Sequence, residues 1–189
     1  MTFEELNSYI AGCGKCGLCK TRHNVVIGKG SHSERGILLV GEGPGEQEDL
    51  QGSPFVGQAG RLLDMALDAV AIDRNALYIA NIVKCRPPEN RNPLPEEVEA
   101  CMPYLRAQFS LLKPMIVVAM GAVAAKSLKL ADDGITKVRG QWIERGGTLF
   151  LPTYHPAALL RNSALKIDFY RDLTAVKEKY DSLITGSES

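Results

Sequence analysis

The sequence predicts an α/β fold built on a central, mainly parallel four-stranded sheet with helices on both faces. Two observations carry this. Four short apolar runs, Gly36–Val40, Leu77–Val83, Met115–Met120 and Thr148–Pro152, read as buried strands, and the stretches between them have helical periodicity. Strands that alternate with helices pair in parallel, because each crossover helix packs back onto the sheet it left. The chain has 189 residues, 45% hydrophobic and 23% charged, enough for one well-buried domain in the ordinary globular range. A single domain over 1–189 is expected, with an N-terminal helix and cysteine-bearing segment over 1–30 and a disordered tail over 182–189.

Each element has its own signal. Gly36-Ile37-Leu38-Leu39-Val40 empties into a turn of glycine, proline and carboxylates. Arg61 to Val70 carries Leu62, Leu63, Ala66, Leu67 and Val70 on one helical face. Pro93-Leu94-Pro95-Glu96-Glu97 announces a helix, with proline near the first turn and acids where the helix dipole favours them, and that helix should end near Lys113-Pro114. A third helix follows Gly121 through Leu128. The last spans Pro156 to Tyr180, broken near Asn162-Ser163, and the polar residues Thr185–Ser189 should fray. Parallel sheets bind ligands at the carboxyl ends of their strands, and Gly41–Asp49 lies at one such end.

Lysine plus arginine and aspartate plus glutamate balance at 22 each, so formal net charge is zero. A global field drawing in nucleic acid is excluded; any such binding must come from local cations. Candidates are Lys15, Lys20, Arg22 and His23, then Lys84, Arg86 and Arg91, then Arg139, Arg161 and Lys166. No apolar run has the length to cross a bilayer, and the N-terminus lacks the pattern of a secretory signal. No membrane partner and a cytoplasmic location are therefore expected.

The chemically loaded segment is Gly41-Glu42-Gly43-Pro44-Gly45-Glu46-Gln47-Glu48-Asp49. Its glycines let backbone N–H groups approach a ligand, Pro44 stiffens it, and its acids set a negative potential. A solvated acidic loop would look the same in isolation. A second half lies in Leu151–Arg161, where His155 ends a strand and Pro156 opens a helix; a lone histidine there is more often structural. Between the two, Ser53–Gly60 presents Phe55 on a loop before a helix, and Ala80–Cys85 places Asn81 near the end of the second strand. Phe55 alone reads as core and Asn81 alone as a strand-end cap, but four such segments at strand ends point to one cleft. A phosphate cradle is disfavoured, because Glu42, Glu46, Glu48 and Asp49 repel an anion and no Walker-type lysine follows.

Five cysteines occur, and three of them, Cys13, Cys16 and Cys19, form Cys-x-x-Cys-x-x-Cys. Without an export signal, metal ligation is a better reading than disulfides. Zinc ribbons pair two tight knuckles, whereas Cys85 and Cys101 stand well apart; an iron–sulfur cluster tolerates scattered ligands. Spacing alone leaves zinc and iron–sulfur open, with one cysteine to spare.

Taken in order, the motifs resemble the family-four uracil-DNA glycosylases, the thermostable-type, iron–sulfur branch of the uracil-DNA glycosylase superfamily. The likeness runs from Cys13 to about Arg171. It rests on Cys13-x-x-Cys16-x-Leu18-x-x-x-Arg22, Gly41-Glu42-Gly43-Pro44-Gly45 with Glu48-Asp49, Pro54-Phe55-Val56-Gly57-x-Ala59-Gly60, Asn81-x-x-Lys84-Cys85-Arg86-Pro87-Pro88, and His155-Pro156-Ala157-Ala158-Leu159-Leu160-Arg161. The resemblance implies a three-layer α/β/α sandwich and a structural four-iron four-sulfur (4Fe-4S) cluster on Cys13, Cys16, Cys85 and Cys101, with Cys19 spare and no nucleotide cofactor. It implies a monomer acting on uracil-containing DNA, single- or double-stranded: a monofunctional base-excision repair glycosylase that flips deoxyuridine, hydrolyses its N-glycosidic bond and leaves an abasic site.

The resemblance also distributes roles. Breaking that bond builds positive charge on the sugar and negative charge on uracil O2. His155 then donates to the developing anion, the backbone of Gly41, Glu42 and Gly43 holds the pyrimidine, and Phe55 stacks on the flipped base. Asn81 matches uracil O4 and N3–H and mispairs with cytosine. Glu48 walls off C5 against thymine's methyl group. Leu159, Leu160 and Arg161 supply the wedge and a phosphate contact. The best-known branch of the superfamily has an aspartate where this chain has Gly43, so water positioning moves to Glu42, with Glu48 competing. Another branch bonds covalently to DNA through a loop histidine, but Arg86–Leu94 contains none, which favours hydrolytic turnover. The alternative is a metal-stapled nucleic-acid-binding module without catalytic activity, which would not need Phe55, Asn81 and His155 together.

Overall fold

The computed structural model describes residues 1–132 and 134–186. In chain order its elements are α1 (Phe3–Ala11), β1 (Lys29–Gly30), β2 (Ile37–Gly41), α2 (Glu46–Gln51), α3 (Gln58–Ala69), β3 (Tyr78–Asn81), α4 (Pro95–Leu112), β4 (Ile116–Met120), α5 (Ala122–Ser127), α6 (Ile135–Val138), β5 (Ile143–Arg145), β6 (Thr148–Thr153), α7 (Pro156–Arg161) and α8 (Lys166–Thr185). The expected apolar runs form the parallel strands β3-β2-β4-β6. The sheet is nevertheless six-stranded and mixed, in the order β1-β3-β2-β4-β6-β5, because β1 and β5 add antiparallel edges. These two are short, and their Lys29, Gly30, Glu144 and Arg145 are exposed, so no apolar alternation announced them. Short, charged edge strands also discourage pairing with another chain.

All of β2 is buried, and its alternation splits the core. Leu38 and Val40 pack with Leu6 and Ile10 of α1, Leu105 of α4 and Ala124 of α5. Ile37 and Leu39 pack on the opposite face with Leu63 and Leu67 of α3 and Phe169 and Leu173 of α8. The sheet is thus flanked by helices.

Local chemistry sets the helix ends. Thr2 and Glu5 form a capping box at α1. Pro95 opens α4, Glu97 accepts from Leu94 N–H, and Lys113 closes it in the left-handed conformation before Pro114. The break expected at Asn162-Ser163 is a 3-10 turn over Ser163–Leu165, capped by the Asn162 side chain. The acidic segment read as an open turn departs from expectation, since Glu46–Gln51 is helical. Three acids in its first turn suit a helix N-terminus, and Gly52 at φ 67° closes it. Helix α8 continues through Thr185, so residues 182–185 of the expected tail are helical; 187–189 lie outside the described residues.

From β2 the chain crosses to β3 on one side, then to β4 on the other side of β2. That is a topological switch point, and the carboxyl ends of β2, β3, β4 and β6 all open at the same end. Among the described residues, no helix is long and apolar enough to cross a membrane.

Candidate active site

At that end lies a cleft of about 1030 Å³, including the space open to solvent. It brings together Glu42, Gly43, Glu48, Phe55, Asn81, His155 and Arg161 from five separate stretches of chain. Gly41 underlies it. A Cβ there would stand 2.4 Å from Asn81 Oδ1 and 2.7 Å from Phe55 Cζ, so only glycine lets strand end, amide and ring meet.

Asn81 is buried at the base of the cleft, and its Oδ1 has no hydrogen-bond partner among the described residues. A buried acceptor left unpaired costs free energy, which a ligand donor would recover. Its backbone is held from behind: Lys84 Nζ donates to Asn81 O (2.8 Å) and to Gln108 Oε1 (2.7 Å), and Gln108 Nε2 donates to Ile27 O and Tyr78 Oη. Burial lowers the Lys84 ammonium to about 8 although the nearby Cys101 raises it. Lys84 therefore is not the surface cation that its sequence neighbourhood suggested.

His155 caps α7, its Nδ1 accepting the Ala157 N–H at 3.1 Å. That bond leaves the ring proton on Nε2. Burial drives the imidazole down to about 4; the Arg161 charge pushes the same way and Glu48 opposes it. The ring is neutral near pH 7, with its centroid 5.5 Å from that of Phe55. The chain approaches it closely at Gly121 (φ 95°), where a Cβ would lie 2.9 Å from His155 Cβ. The sequence reading treated Gly121 only as a helix start.

The two carboxylates differ. Glu48 Oε1 accepts Val56 N–H and Gly57 N–H, both at 2.8 Å, and Oε2 accepts Gly45 N–H at 3.1 Å. These bonds tie the glycine turn to the Phe55 loop and engage the carboxylate as structure. Glu42 lines the cleft, and burial raises its pKa while Arg161 lowers it. Next to Glu48, buried Asp49 accepts from His23 N, His23 Nδ1 and Asn24 N, which anchors the N-terminal segment to α2 and holds the Asp49 carboxyl below the ordinary range against the cost of burial.

A second cavity, of about 340 Å³, is lined by Cys13, Cys16, Cys19, Cys85 and Cys101. Arg22 Nη1 donates to Cys85 Sγ at 3.2 Å and Lys84 N–H to Cys101 Sγ at 3.3 Å. Burial raises the Cys85 thiol, and raises Cys101 to about 11. Among the described residues, no three histidine, cysteine or carboxylate side chains close to the spacing of a single-ion site.

Comparison with known proteins decides the family. Residues 27–174 match the uracil DNA glycosylase superfamily. The chain is 44% identical over 182 residues to the type-4 uracil-DNA glycosylase of Pyrobaculum aerophilum, covering 92% of each chain. It is 48% identical over 164 residues to that of Thermotoga maritima, 84% of this chain and 83% of the relative. With the protein of the same description from Archaeoglobus fulgidus it shares 39% over 185 residues, 94% and 92% of the two chains. The chain belongs to the type-4 uracil-DNA glycosylases.

In this family member, the two leucines expected to form the wedge differ in exposure. Leu159 is 1% exposed and packs in the core under α7, whereas Leu160 is 50% exposed. Leu160 is the neighbour of Arg161, which lines the cleft. The cleft is also lined by Pro87, Asn90, Arg91 and Asn92, of which the sequence reading had named only Arg91 as a candidate cation. Arg91 is forked onto Glu97 at 2.7 and 2.9 Å, which fixes that loop to α4. The basic character of Arg86–Leu94 was the available signal. Arg139, another expected cation, is committed to Asp172 and Asp168.

Proposed function

We propose that the protein hydrolyses the N-glycosidic bond of deoxyuridine in DNA, releasing uracil and leaving an abasic site for base-excision repair. The observation that carries this reading is Asn81, a buried amide whose oxygen lacks a donor, set against Phe55 and Gly41 in a cleft that His155 faces. Uracil N3–H would supply that donor, and Asn81 Nδ2 would donate to O4. Cytosine offers an unprotonated N3 and an amino group at the same places, so both contacts become repulsive. A base inside a duplex reaches such a cleft only by leaving the stack; it then lies against Phe55.

His155, neutral and with its proton on Nε2, donates to uracil O2 as charge builds there. Glu42, made more basic by burial, positions the attacking water and faces the cationic sugar. Glu48 shapes the wall near C5. Among the described residues, Lys84 is the lysine that lines up behind the uracil reader, and its ammonium is taken up by Asn81 O and Gln108, which supports hydrolysis by water over attack by an amine. Arg161 meets a phosphate while Leu160 fills the space that the base leaves.

Cys13, Cys16, Cys85 and Cys101 would hold a 4Fe-4S cluster, with Cys19 spare. Soft thiols around one cavity fit that group, as do N–H donors to Cys85 and Cys101. When bound, the cluster supplies a cross-link between the N-terminal segment and the chain joining β3 to α4. The test is incubation of cluster-loaded protein with oligonucleotides carrying one U·G, U·A or T·G pair or a single-stranded U, followed by alkaline cleavage. Cutting of the uracil substrates but not T·G is expected; failure on every uracil substrate ends the reading.

A further inference from the structure

Phe55 sits at φ 52°, a left-handed conformation that a bulky side chain keeps only where its surroundings impose it. The restraints come from both sides of its loop. On the cleft side, Glu48 Oε1 takes the N–H groups of Val56 and Gly57. Behind, Arg74 Nη2 donates to Pro54 O and Phe55 O, both at 3.0 Å, while Nη1 is ion-paired with Asp64 of α3. Gly60 leaves room for this, since a Cβ there would stand 1.9 Å from Phe55 O. Arg74 lies in the 3-10 turn Arg74–Ala76 ahead of β3 and does not line the cleft.

Two carbonyl oxygens converging on one point repel each other unless a cation with fixed, multiple donors lies between them. A guanidinium meets that need, and it retains a further N–H group for Asp64. We infer that Arg74 is a positioning residue for uracil recognition: it locks the Pro54–Phe55 carbonyls and thereby holds the Phe55 ring against the base. The inference rests on the assignment of Phe55 to the uracil site. Without the guanidinium, the loop relaxes toward an ordinary φ and the ring leaves the cleft wall. The ring is a binding element, so the damage falls on substrate engagement as well as on rate.

The test is a double-mutant cycle on the cluster-loaded, full-length protein: wild type, Arg74→Met, Phe55→Ala and the double variant. Single-turnover uracil cleavage is measured at saturating and sub-saturating enzyme, together with melting temperature. Arg74→Met should lower cleavage at sub-saturating enzyme by roughly tenfold, the scale of one strained backbone conformation. That loss should vanish in the Phe55→Ala background while the melting temperature still falls. Arg74→Lys, which restores one cation but not the fork, should recover part of the activity, and it carries the cycle if Arg74→Met does not fold. An equal loss in both backgrounds, or a fall in melting temperature alone, overturns the inference while leaving the glycosylase reading intact. Wild-type cleavage by Phe55→Ala overturns it together with the stacking assignment.

Discussion

His155 can be tested as a neutral donor by following rate against pH. Burial brings its imidazole to about 4, and the Ala157 N–H occupies Nδ1. At pH 7 only roughly one molecule in a thousand then carries an imidazolium. A mechanism needing the cation would forfeit about 4 kcal/mol at that pH, whereas the Nε2–H of the neutral ring is present throughout the neutral range. The single-turnover rate should therefore show no inflection between about pH 6 and 8 from this residue. On the proposed mechanism the acid limb belongs to Glu42, which must be ionised to act as a base. Its folded pKa is raised by burial, so activity falls with decreasing pH through a point above the ordinary carboxylate value. His155→Gln, which keeps a donor but cannot titrate, should leave that limb in place. His155→Ala should lower the single-turnover rate about a hundredfold to a thousandfold while DNA affinity changes little and stability falls by no more than the loss of the α7 cap, about 0.5–2 kcal/mol. An inflection near the ordinary imidazole value of about 6.5 that disappears in His155→Gln would refute the neutral-donor argument. A His155→Ala protein that is stable, binds and cuts normally would remove the residue from the centre altogether.

Gly41→Ala should abolish detectable uracil release from protein that still melts cooperatively, because the new methyl collides with Asn81 Oδ1 and Phe55 Cζ; ready cleavage by this variant would mean that uracil does not sit there. Leu159→Ala should cost about 2–5 kcal/mol in urea unfolding, as for other buried leucines, whereas Leu160→Ala should stay within about 0.5 kcal/mol and slow cleavage of duplex uracil more than of single-stranded uracil. Purified protein should be brown, and Cys85→Ala or Cys101→Ala should both bleach it and lower its melting temperature. Stoichiometric zinc without iron in anaerobically purified protein would contradict the cluster.

The parallel core was legible because β2, β3 and β4 are buried throughout and β6 over most of its length, so that they appear as short apolar runs. The edges β1 and β5 were not, since two or three exposed polar residues carry no periodic signal. The cleft residues could be named because glycine, proline and a strand-end amide are locally conspicuous. What joins them was hidden: Arg74 reaches back nineteen residues to Phe55, and Lys84 finds Gln108 twenty-four residues ahead. Such pairings arise only when the sheet brings the segments together. Leu159 and Leu160 show a readable signal that went unused. Pro156 and Leu159 are three apart on one helical turn, so they share the buried face and Leu160 is turned outward.

The zero net charge fits the site's division of labour. Glu42 and Glu48 lie within the cleft, where a sugar gathering positive charge is served by carboxylates, while phosphates must be met outside it. The rim supplies the opposite sign through Arg161 on one side and Arg91 on the other, but Arg91 is already forked onto Glu97 and Arg86 lies 3.7 Å from Glu46. Those two contacts hold both guanidiniums of this stretch against carboxylates. On the proposed reading, the extruded base adds affinity of its own through the ring of Phe55 and the oxygen of Asn81. If those two residues read the base as proposed, selection for uracil rests on few atoms, and the close approaches at Gly41 and Gly60 and the hydrogen bonds from Lys84 and Arg74 hold them still.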